Sequence, residues 1–334
     1  MTNIELRVDV SSAVPELGRA EIAATVHLPE PAAMGADPVV MYASPGGGFS
    51  RRYFDMHFAG HEGYSQAEYH TARGMVVVAY DHLGTGDSTV PAEALTIEAI
   101  AAANHAAVRS IHQQIEQGTF GHGLQWRGKA ACIGVGQSMG GCLTIVMQGR
   151  HRTFDAIAPL GYSAIHTVPP LKDPEKRRGL MAATGSLNRQ TDVRSLSIPD
   201  RTSAHTENDM TWCHHWEDVP RDIVKADTPE GYAFRRHGDW PPPWRSAALP
   251  ACALIMMSPG CVAEEAAAIT VPVLTAMGER DVCPDPHAEP GTYRGSRDVS
   301  LFIAPGMAHM HNFATTRELF WRRLDQWSRR VSGG

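Results

Sequence analysis

GVGQSMGG, residues 134–141, sets Ser138 between two glycines, at the end of one apolar run and the start of another. The run at 130–135 predicts a buried strand, and the stretch at 139–150 predicts a helix. A serine on a sharp strand-to-helix turn can act as a nucleophile, and flanking glycines let the strand and the helix approach closely. The same spacing also occurs in ordinary glycine-rich turns, so the rest of the chain has to decide between the two interpretations.

The remainder of the chain alternates between strand and helix patterns. The first 30 residues predict an antiparallel strand pair, and unbroken apolar runs predict strands that are covered on both faces. This alternation indicates an α/β fold with a doubly wound, mostly parallel sheet. The predicted strands after the first pair are 38–44, 75–80, 130–135, 154–162, 271–279 and 298–306, and the predicted helices are 65–74, 92–117, 139–150 and 315–327.

The alternation stops at about residue 162 and returns at about residue 262. The residues between are rich in Pro, Trp, His and charge, and a plain loop of this length is uncommon in a compact domain. We therefore expect an α/β core formed by 1–161 and 263–334, with 162–262 as an inserted cap or lid. Four tryptophans of this segment could line an apolar substrate pocket or simply pack the lid: Trp212, Trp216, Trp240 and Trp244.

Three glycines follow the predicted strand 38–44 in the stretch SPGGGFSRR. Ligands of parallel sheets bind at the carboxyl ends of the strands, where these bare backbone amides would lie. Gly47 or Gly48 is expected to supply one donor of an oxyanion hole, opposite the amide of Met139 at the start of the helix after Ser138. A flexible turn without a catalytic role is the alternative.

Acid and base candidates follow the last two predicted strands. Asp281 lies in GERDVCPDP, and His309 lies in GMAHMHNF. A catalytic histidine needs a carboxylate that fixes its tautomer and stabilises the imidazolium, and the order serine, acid, histidine suits this architecture. His311 and Asp285 are the alternative base and acid.

Taken together, these motifs resemble the α/β-hydrolase superfamily over about 30–160 and 265–331. GQSMGG resembles the nucleophile elbow, GERDVC the acid loop and GMAHMHN the histidine loop, while DHLGTGDS at 81–88 resembles a structural turn after the fourth strand. The resemblance implies that Ser138 is the nucleophile. His309 would then be the base and later the acid, and Asp281 the orienting carboxylate.

The chain departs from the superfamily pattern at one position. The usual His-Gly after the third strand is Ser44-Pro45 here. Which of Gly46, Gly47 and Gly48 supplies the oxyanion amide therefore stays open.

The composition limits the class of protein, its partners and its cellular compartment. Hydrophobic residues make up 43% and charged residues 20% of the 334 residues, which is typical of a globular protein. The net charge of −6 comes without a basic stripe, so no nucleic-acid partner is expected. Without a leader-like N-terminus or an apolar stretch of about 20 residues, we expect a cytoplasmic protein that does not enter membranes. Six scattered cysteines favour buried, reduced thiols over disulfides.

No metal or cofactor is expected. The His-x-His pattern at 309–311 lacks the Asp-His that a metallohydrolase pattern would add. Cys213, His214 and His215 lie in WCHHWED, but adjacent histidines point in different directions, so a polar and aromatic lid surface is the better interpretation.

The predicted activity is hydrolysis of a carboxylic ester, lactone or thioester through an acyl-enzyme on Ser138, with a small-molecule substrate that is medium-sized and partly apolar. The elbow holds serine rather than the carboxylate of epoxide hydrolases and haloalkane dehalogenases. Two alternatives use the same three residues, namely carbon–carbon bond hydrolysis of a β-diketone-like substrate and acyl transfer to an alcohol. A ligand-binding receptor on the same fold is the non-enzymatic alternative, and the oligomeric state stays open.

Overall fold

The computed structural model describes residues 1–35, 38–121, 124, 126, 128–197, 207–227 and 242–333, with 207–210 described by their backbone alone. Trp240 lies outside the described residues. Within the described ranges, eight strands form one sheet: β1 (Thr2–Asp9), β2 (Glu21–Leu28), β3 (Val39–Ser44), β4 (Val76–Tyr80), β5 (Ala131–Gln137), β6 (Ala156–Leu160), β7 (Val273–Arg280) and β8 (Val299–Ala308).

The spatial order of the strands is β1-β2-β4-β3-β5-β6-β7-β8. β2 runs antiparallel to both β1 and β4, and every later pair of neighbours is parallel. The carboxyl ends of β3, β5, β7 and β8 therefore lie along one edge of the sheet, where ligands of such sheets bind. The predicted doubly wound, mostly parallel α/β fold is confirmed.

Helices cover both faces of the sheet. In the described part of the chain they are α1 (Gln66–Thr71), α2 (Ile97–Gln117), α3 (Met139–His151), α4 (Pro174–Gly185), α5 (Glu207–His214), α6 (Arg221–Asp227), α7 (Ala263–Ala268) and α8 (Arg317–Ser332). None of these described helices is long and apolar enough to cross a membrane.

Strand β3 shows how the two faces are buried. Val40 and Tyr42 belong to an apolar cluster with residues of α2 and α3, whereas Val39 and Met41 belong to a second cluster with Trp327 of α8. Alternate side chains of a strand point to opposite faces, so a strand buried on both sides reads as one continuous apolar run. All six cysteines are also buried, and none of them forms a disulfide.

The ends of α2 follow from its capping residues. The helix predicted from residue 92 begins only at Ile97, because the hydroxyl of Thr96 accepts a hydrogen bond of 3.1 Å from the N–H of Ala99. It ends as predicted before Gly118, which adopts a left-handed φ of 67°.

The segment between β6 and β7 contains α4 to α7 and, within its described residues, no strand. Parts of it pack directly onto the α/β core. Tyr162, Cys252, Ile255 and Met256 are buried in the same apolar cluster as the side chains of α2 and α3.

Candidate active site

Ser138 lies on the turn between β5 and α3. Its φ of 54° and ψ of −114° are values that a residue other than glycine rarely adopts. A Cβ atom on Gly136 would come within 2.1 Å of the carbonyl oxygen of Gly140, and one on Gly140 would come within 2.3 Å of that of Ser44. Both glycines are therefore required by the close approach of the backbone. The N–H of Ser138 donates a 2.8 Å hydrogen bond to the carbonyl of Leu160, which holds the strained turn against β6.

His309 follows β8 and reaches the serine. Its Nε2 atom lies 3.0 Å from Oγ of Ser138, and its Nδ1 atom lies 2.6 Å from Oδ1 of Asp281. The carboxylate accepts a hydrogen bond from Nδ1–H, so Nε2 is left unprotonated and can accept the proton of the serine hydroxyl. The structure thus brings together three residues that lie far apart in the sequence.

Asp281 follows β7 and is buried, with its side chain 1% exposed. Its oxygens accept hydrogen bonds from the N–H groups of Gly278 at 2.8 Å and Val282 at 2.7 Å, and from Nε2 of His311 at 2.8 Å. Burial by itself raises the pKa of Asp281. The charge of His309 and the hydrogen bonds from both histidines outweigh it and hold the pKa below its ordinary value. Asp281 therefore carries a negative charge at neutral pH.

The alternative acid and base lie elsewhere in the site. His311 contacts Asp281 rather than the serine. Asp285 is exposed, and its Oδ1 atom accepts a 3.3 Å hydrogen bond from the N–H of Ala288. Neither residue occupies the position of a base beside the serine or of an acid behind His309.

A pocket of about 100 Å³ adjoins Ser138 and His309. Its described lining residues include no Asp, Glu, Lys or Arg. Beside the serine and the histidine, Thr167 and His214 are polar. Most of the wall is apolar, and its larger side chains are Met139, Tyr162, Leu249, Leu254, Met256, Met257, Val282 and Met310.

Of the three glycines after β3, Gly47 lines the pocket, next to Met139. Gly46 instead faces β5, since a Cβ atom there would lie 2.3 Å from Oε1 of Gln137. Gly48 adopts a left-handed φ of 80°, and its carbonyl accepts a 3.0 Å hydrogen bond from the N–H of Ser246. Gly48, one of the two expected donors, therefore shapes the turn and does not line the pocket.

Sequence reasoning missed His82, which supports this glycine loop from behind. Its Nε2–H donates a 2.9 Å hydrogen bond to the carbonyl of Pro45, and its Nδ1 accepts a 2.8 Å bond from the amide of Asn104. Burial lowers the pKa of His82 to about 4, so the ring is neutral at neutral pH. The motif DHLGTGDS indicated a turn, but nothing in it indicated this partner.

The stretch WCHHWED, expected at the lid surface, is buried at its centre. Cys213, His214 and His215 are 1%, 5% and 4% exposed. The carbonyls of Cys213 and His214 accept hydrogen bonds of 3.1 and 3.0 Å from the N–H groups of His309 and Met310. Burial lowers the pKa of His214 well below its ordinary value, and the His309 ring, 5.8 Å away, lowers it further. The carboxyl end of α5 therefore packs against the histidine loop.

Of the two interpretations of the tryptophans, packing describes the three that the structure describes, since none of them lines the pocket beside Ser138. Trp212 and Trp216 stack on Arg280, whose guanidinium carbon lies 4.1 and 4.5 Å from their ring centres. Trp244 is buried, and its indole N–H donates a 2.9 Å hydrogen bond to Asp227. Trp212 and Trp216 are held by cation–π contacts with Arg280. Trp244 supplies a hydrogen bond that the buried carboxylate of Asp227 requires.

Asp55, His57 and Glu68 form a group of possible metal ligands in the described part of the chain, with donor atoms within 4.8 Å of one another. They are half-buried or exposed, and such acidic groups commonly lie close together without a metal. The rings of His214 and His215 diverge, with centroids 6.3 Å apart and planes at 67°. Neither group supports a metal assignment.

Solved structures match the chain over nearly its whole length. An esterase from Thermogutta terrifontis, with malate bound, matches with a TM-score of 0.61 at 17% identity, covering 98% of this chain and 99% of that one. A proline iminopeptidase from Mycobacterium smegmatis matches with a TM-score of 0.56 at 18% identity, covering 98% and 99%. A bromoperoxidase from Bacillus anthracis matches with a TM-score of 0.58 at 16% identity, covering 98% and 100%. By sequence, neither a protein-family model nor a curated protein matches.

These structures are members of the α/β-hydrolase superfamily. The chain therefore has the α/β-hydrolase fold, and the resemblance that its motifs carry is confirmed at the level of the fold.

Proposed function

We propose that the protein is a serine hydrolase that cleaves a carboxylic ester, lactone or thioester through an acyl-enzyme on Ser138. The observation that carries this proposal is the 3.0 Å distance between Oγ of Ser138 and Nε2 of His309, beside an apolar pocket. A serine paired with a histidine, which is itself oriented by an ionised carboxylate, is the arrangement that acyl transfer requires.

In the first half of the reaction, Oγ of Ser138 attacks the substrate carbonyl while Nε2 of His309 takes the hydroxyl proton. Ionised Asp281 stabilises the imidazolium that forms. The backbone amides of Met139 and Gly47 hold the oxyanion, since both residues line the pocket and the N–H of a first helical residue has no partner within its helix.

In the second half, the imidazolium of His309 gives its proton to the leaving group, which departs and leaves the acyl group on Ser138. A water molecule then attacks the acyl carbonyl while His309 takes a proton from it. Collapse of this second intermediate releases the acid and restores the serine.

The size and chemistry of the pocket favour a short, uncharged acyl group. An apolar cavity of roughly 150 Å³ accommodates benzene, and this one measures about 100 Å³. Burying a charged group against an apolar wall without a partner is costly. The acyl group is therefore smaller than the medium-sized substrate expected from the sequence.

In this proposal the inserted segment 162–262 acts as the cap of the site. Described residues from three separate parts of it contribute to the pocket wall, including Thr167, His214, Leu249 and Met257. The segment would thus determine which acyl groups fit, while the α/β core supplies the reacting groups.

A fluorophosphonate probe tests the proposal directly, because it labels an activated serine. Labelling of the wild type and not of Ser138→Ala, together with turnover of p-nitrophenyl acetate or butyrate, is the expected result. An unlabelled wild type that turns over none of an ester, lactone and thioester panel would overturn it and favour a ligand-binding protein on this fold.

A further inference from the structure

The carboxylate of Asp281 is shared by two histidines. Nδ1 of His309 lies 2.6 Å from Oδ1, and Nε2 of His311 lies 2.8 Å from Oδ2. The two rings are 6.4 Å apart between centroids and nearly perpendicular, at 80°. With the N–H groups of Gly278 and Val282, four donors surround the carboxylate, so each oxygen accepts two hydrogen bonds.

The surroundings of His311 identify its tautomer. Nε2 has to carry a proton, because it faces a carboxylate oxygen that can only accept. Nδ1 is buried and has no hydrogen-bond partner in the described part of the structure. A second proton on Nδ1 would be buried without an acceptor, which is costly. His311 therefore donates to Asp281 through Nε2, and its buried Nδ1 faces no acceptor in the described part of the structure.

His311 is held firmly in this position. Its ring packs against Phe320 of α8, with centroids 4.5 Å apart. The following residue, Asn312, is tied from both sides, since its side-chain oxygen accepts a 2.8 Å hydrogen bond from the indole of Trp321 and its N–H donates a 3.0 Å bond to the hydroxyl of Tyr53. The donor at Oδ2 is thus fixed by the packing of the histidine loop.

We propose that His311 is a positioning residue, which holds Oδ1 of Asp281 toward His309 and limits how strongly the carboxylate stabilises protonated His309. Its importance for turnover rests on the proposed serine hydrolase function. A hydrogen bond to one oxygen draws charge away from the other, so Asp281 favours the imidazolium less than a carboxylate without this donor would.

The hydrogen bond that His311 donates to Oδ2 can be removed by substitution without changing the other groups around His309. The neighbouring hydroxyl of Ser138, Asp281 and the neutral ring of His214 face His309 directly. Beyond them, the charge of Asp281 acts on the buried hydroxyl of Tyr53, and the buried group behind His214 includes His215, Asp227 and Arg245.

Histidine titration followed by ¹⁵N NMR tests the proposal without relying on turnover. The His309 signals are assigned by comparison with His309→Ala, and thermal unfolding checks that each variant is folded. His311→Phe and His311→Leu fill the space without a donor, and either one that folds suffices. We expect the pH midpoint at which His309 gains its proton to rise by about 0.5 unit or more. His311→Gln, whose amide N–H can replace the donor, is expected to restore the wild-type midpoint.

The acid limb of kcat/KM for a short ester should move by the same amount in the same variants. A folded His311→Phe or His311→Leu whose His309 midpoint equals that of the wild type overturns the proposal and leaves His311 a packing role. A shifted midpoint in a protein whose wild type hydrolyses no ester, lactone or thioester supports the arrangement at Asp281 and overturns only the proposed function.

Discussion

His82 donates a 2.9 Å hydrogen bond to the carbonyl of Pro45, the residue immediately before the three glycines that follow β3. The loop proposed to hold the oxyanion is therefore supported by a buried, neutral histidine. Protonating this ring inside the protein is unfavourable, because the charged form is removed from water and Nδ1 already accepts the amide of Asn104.

We expect His82 to make the protein less stable in mild acid. Its pKa is about 4 when folded, below the ordinary 6.5, so the unfolded chain binds this proton first as the pH falls. The contribution is fully present above about pH 6.5 and is lost progressively toward pH 4, at a cost of about 3 kcal/mol. Urea unfolding at pH 4.5 and 7.5 measures it. His82→Gln should lose less stability between these pH values, exposed His287→Gln should behave as the wild type, and an equal loss in both variants would refute the assignment.

Gly161 after β6 should be essential for turnover. It has a left-handed φ of 54°, and a Cβ atom there would lie 3.1 Å from His311 Cε1 and 3.2 Å from both Asp281 Oδ2 and His309 Nδ1. We expect Gly161→Ala to lower kcat by roughly 10²-fold, because small displacements of reacting groups are costly. The measurement is kcat for a short ester.

Two other glycines serve as controls for this substitution. Gly60 also has a left-handed φ, of 77°, but open space around it, so Gly60→Ala carries the backbone strain without the contact. Gly179 in α4 has neither a left-handed φ nor an atom close to the position of a Cβ. Both control variants should keep their kcat. A kcat equal to the wild type in Gly161→Ala would show that the site tolerates the extra atom.

Asp281→Asn should lower kcat by about 10⁴-fold with a small effect on KM, because the amide no longer selects the required tautomer of His309. Asp285→Asn is the matched control, since this carboxylate is exposed and lies three residues beyond Val282. Steady-state kinetics on p-nitrophenyl butyrate separates the two. Similar losses in both variants would contradict the assignment of the acid.

Trp244→Phe should destabilise the protein without changing which esters it prefers. The buried carboxylate of Asp227 loses a 2.9 Å donor, which costs about 1.5–3 kcal/mol for a charged acceptor. Thermal or urea unfolding measures the loss, and an acyl-chain series measures the preference. Trp212→Phe, which keeps an aromatic face for Arg280, should have a smaller effect on stability. A changed chain-length preference in Trp244→Phe would place this residue at the substrate after all.

Met257→Ala should allow the proposed hydrolase to accept longer acyl chains, since Met257 lines the pocket of about 100 Å³. Removing its thioether leaves room for roughly two or three further carbons. We expect the maximum of kcat/KM along a p-nitrophenyl series from acetyl to octanoyl to move toward longer chains. Met181→Ala, at an exposed position in α4, should leave the maximum in place. An unmoved maximum in Met257→Ala would place the acyl group elsewhere.

The fold could be predicted because its signals are local. Apolar runs, capping residues and glycine stops mark most strands and helices, and parallel strands bring their carboxyl ends to one edge. That geometry is why Ser138, Asp281 and His309, each directly after a strand, meet in the structure. Which glycine faces the pocket was not predictable, because it depends on the turn made by Gly48.

The contacts that support the site could not be predicted, because they join distant parts of the chain without a shared pattern. His82 and Pro45 come from different loops. His311 contacts Asp281, although its position in the sequence suggested only an alternative base. Whether the tryptophans line the pocket or pack elsewhere could not be decided from the sequence for the same reason. Aromatic composition indicates that a ring will be buried, but not whether its partner will be Arg280, Asp227 or a substrate.

The two backbone hydrogen bonds from the histidine loop to the carbonyls of Cys213 and His214 limit how the site can open. The carboxyl end of α5 therefore cannot move away from the histidine loop without breaking these bonds and displacing His309, the proposed general base. In the proposed hydrolase, we expect substrate to enter past other parts of the pocket wall. Replacing residues 162–262 with a foreign segment to alter selectivity would also remove the two carbonyls that hold the histidine loop in place.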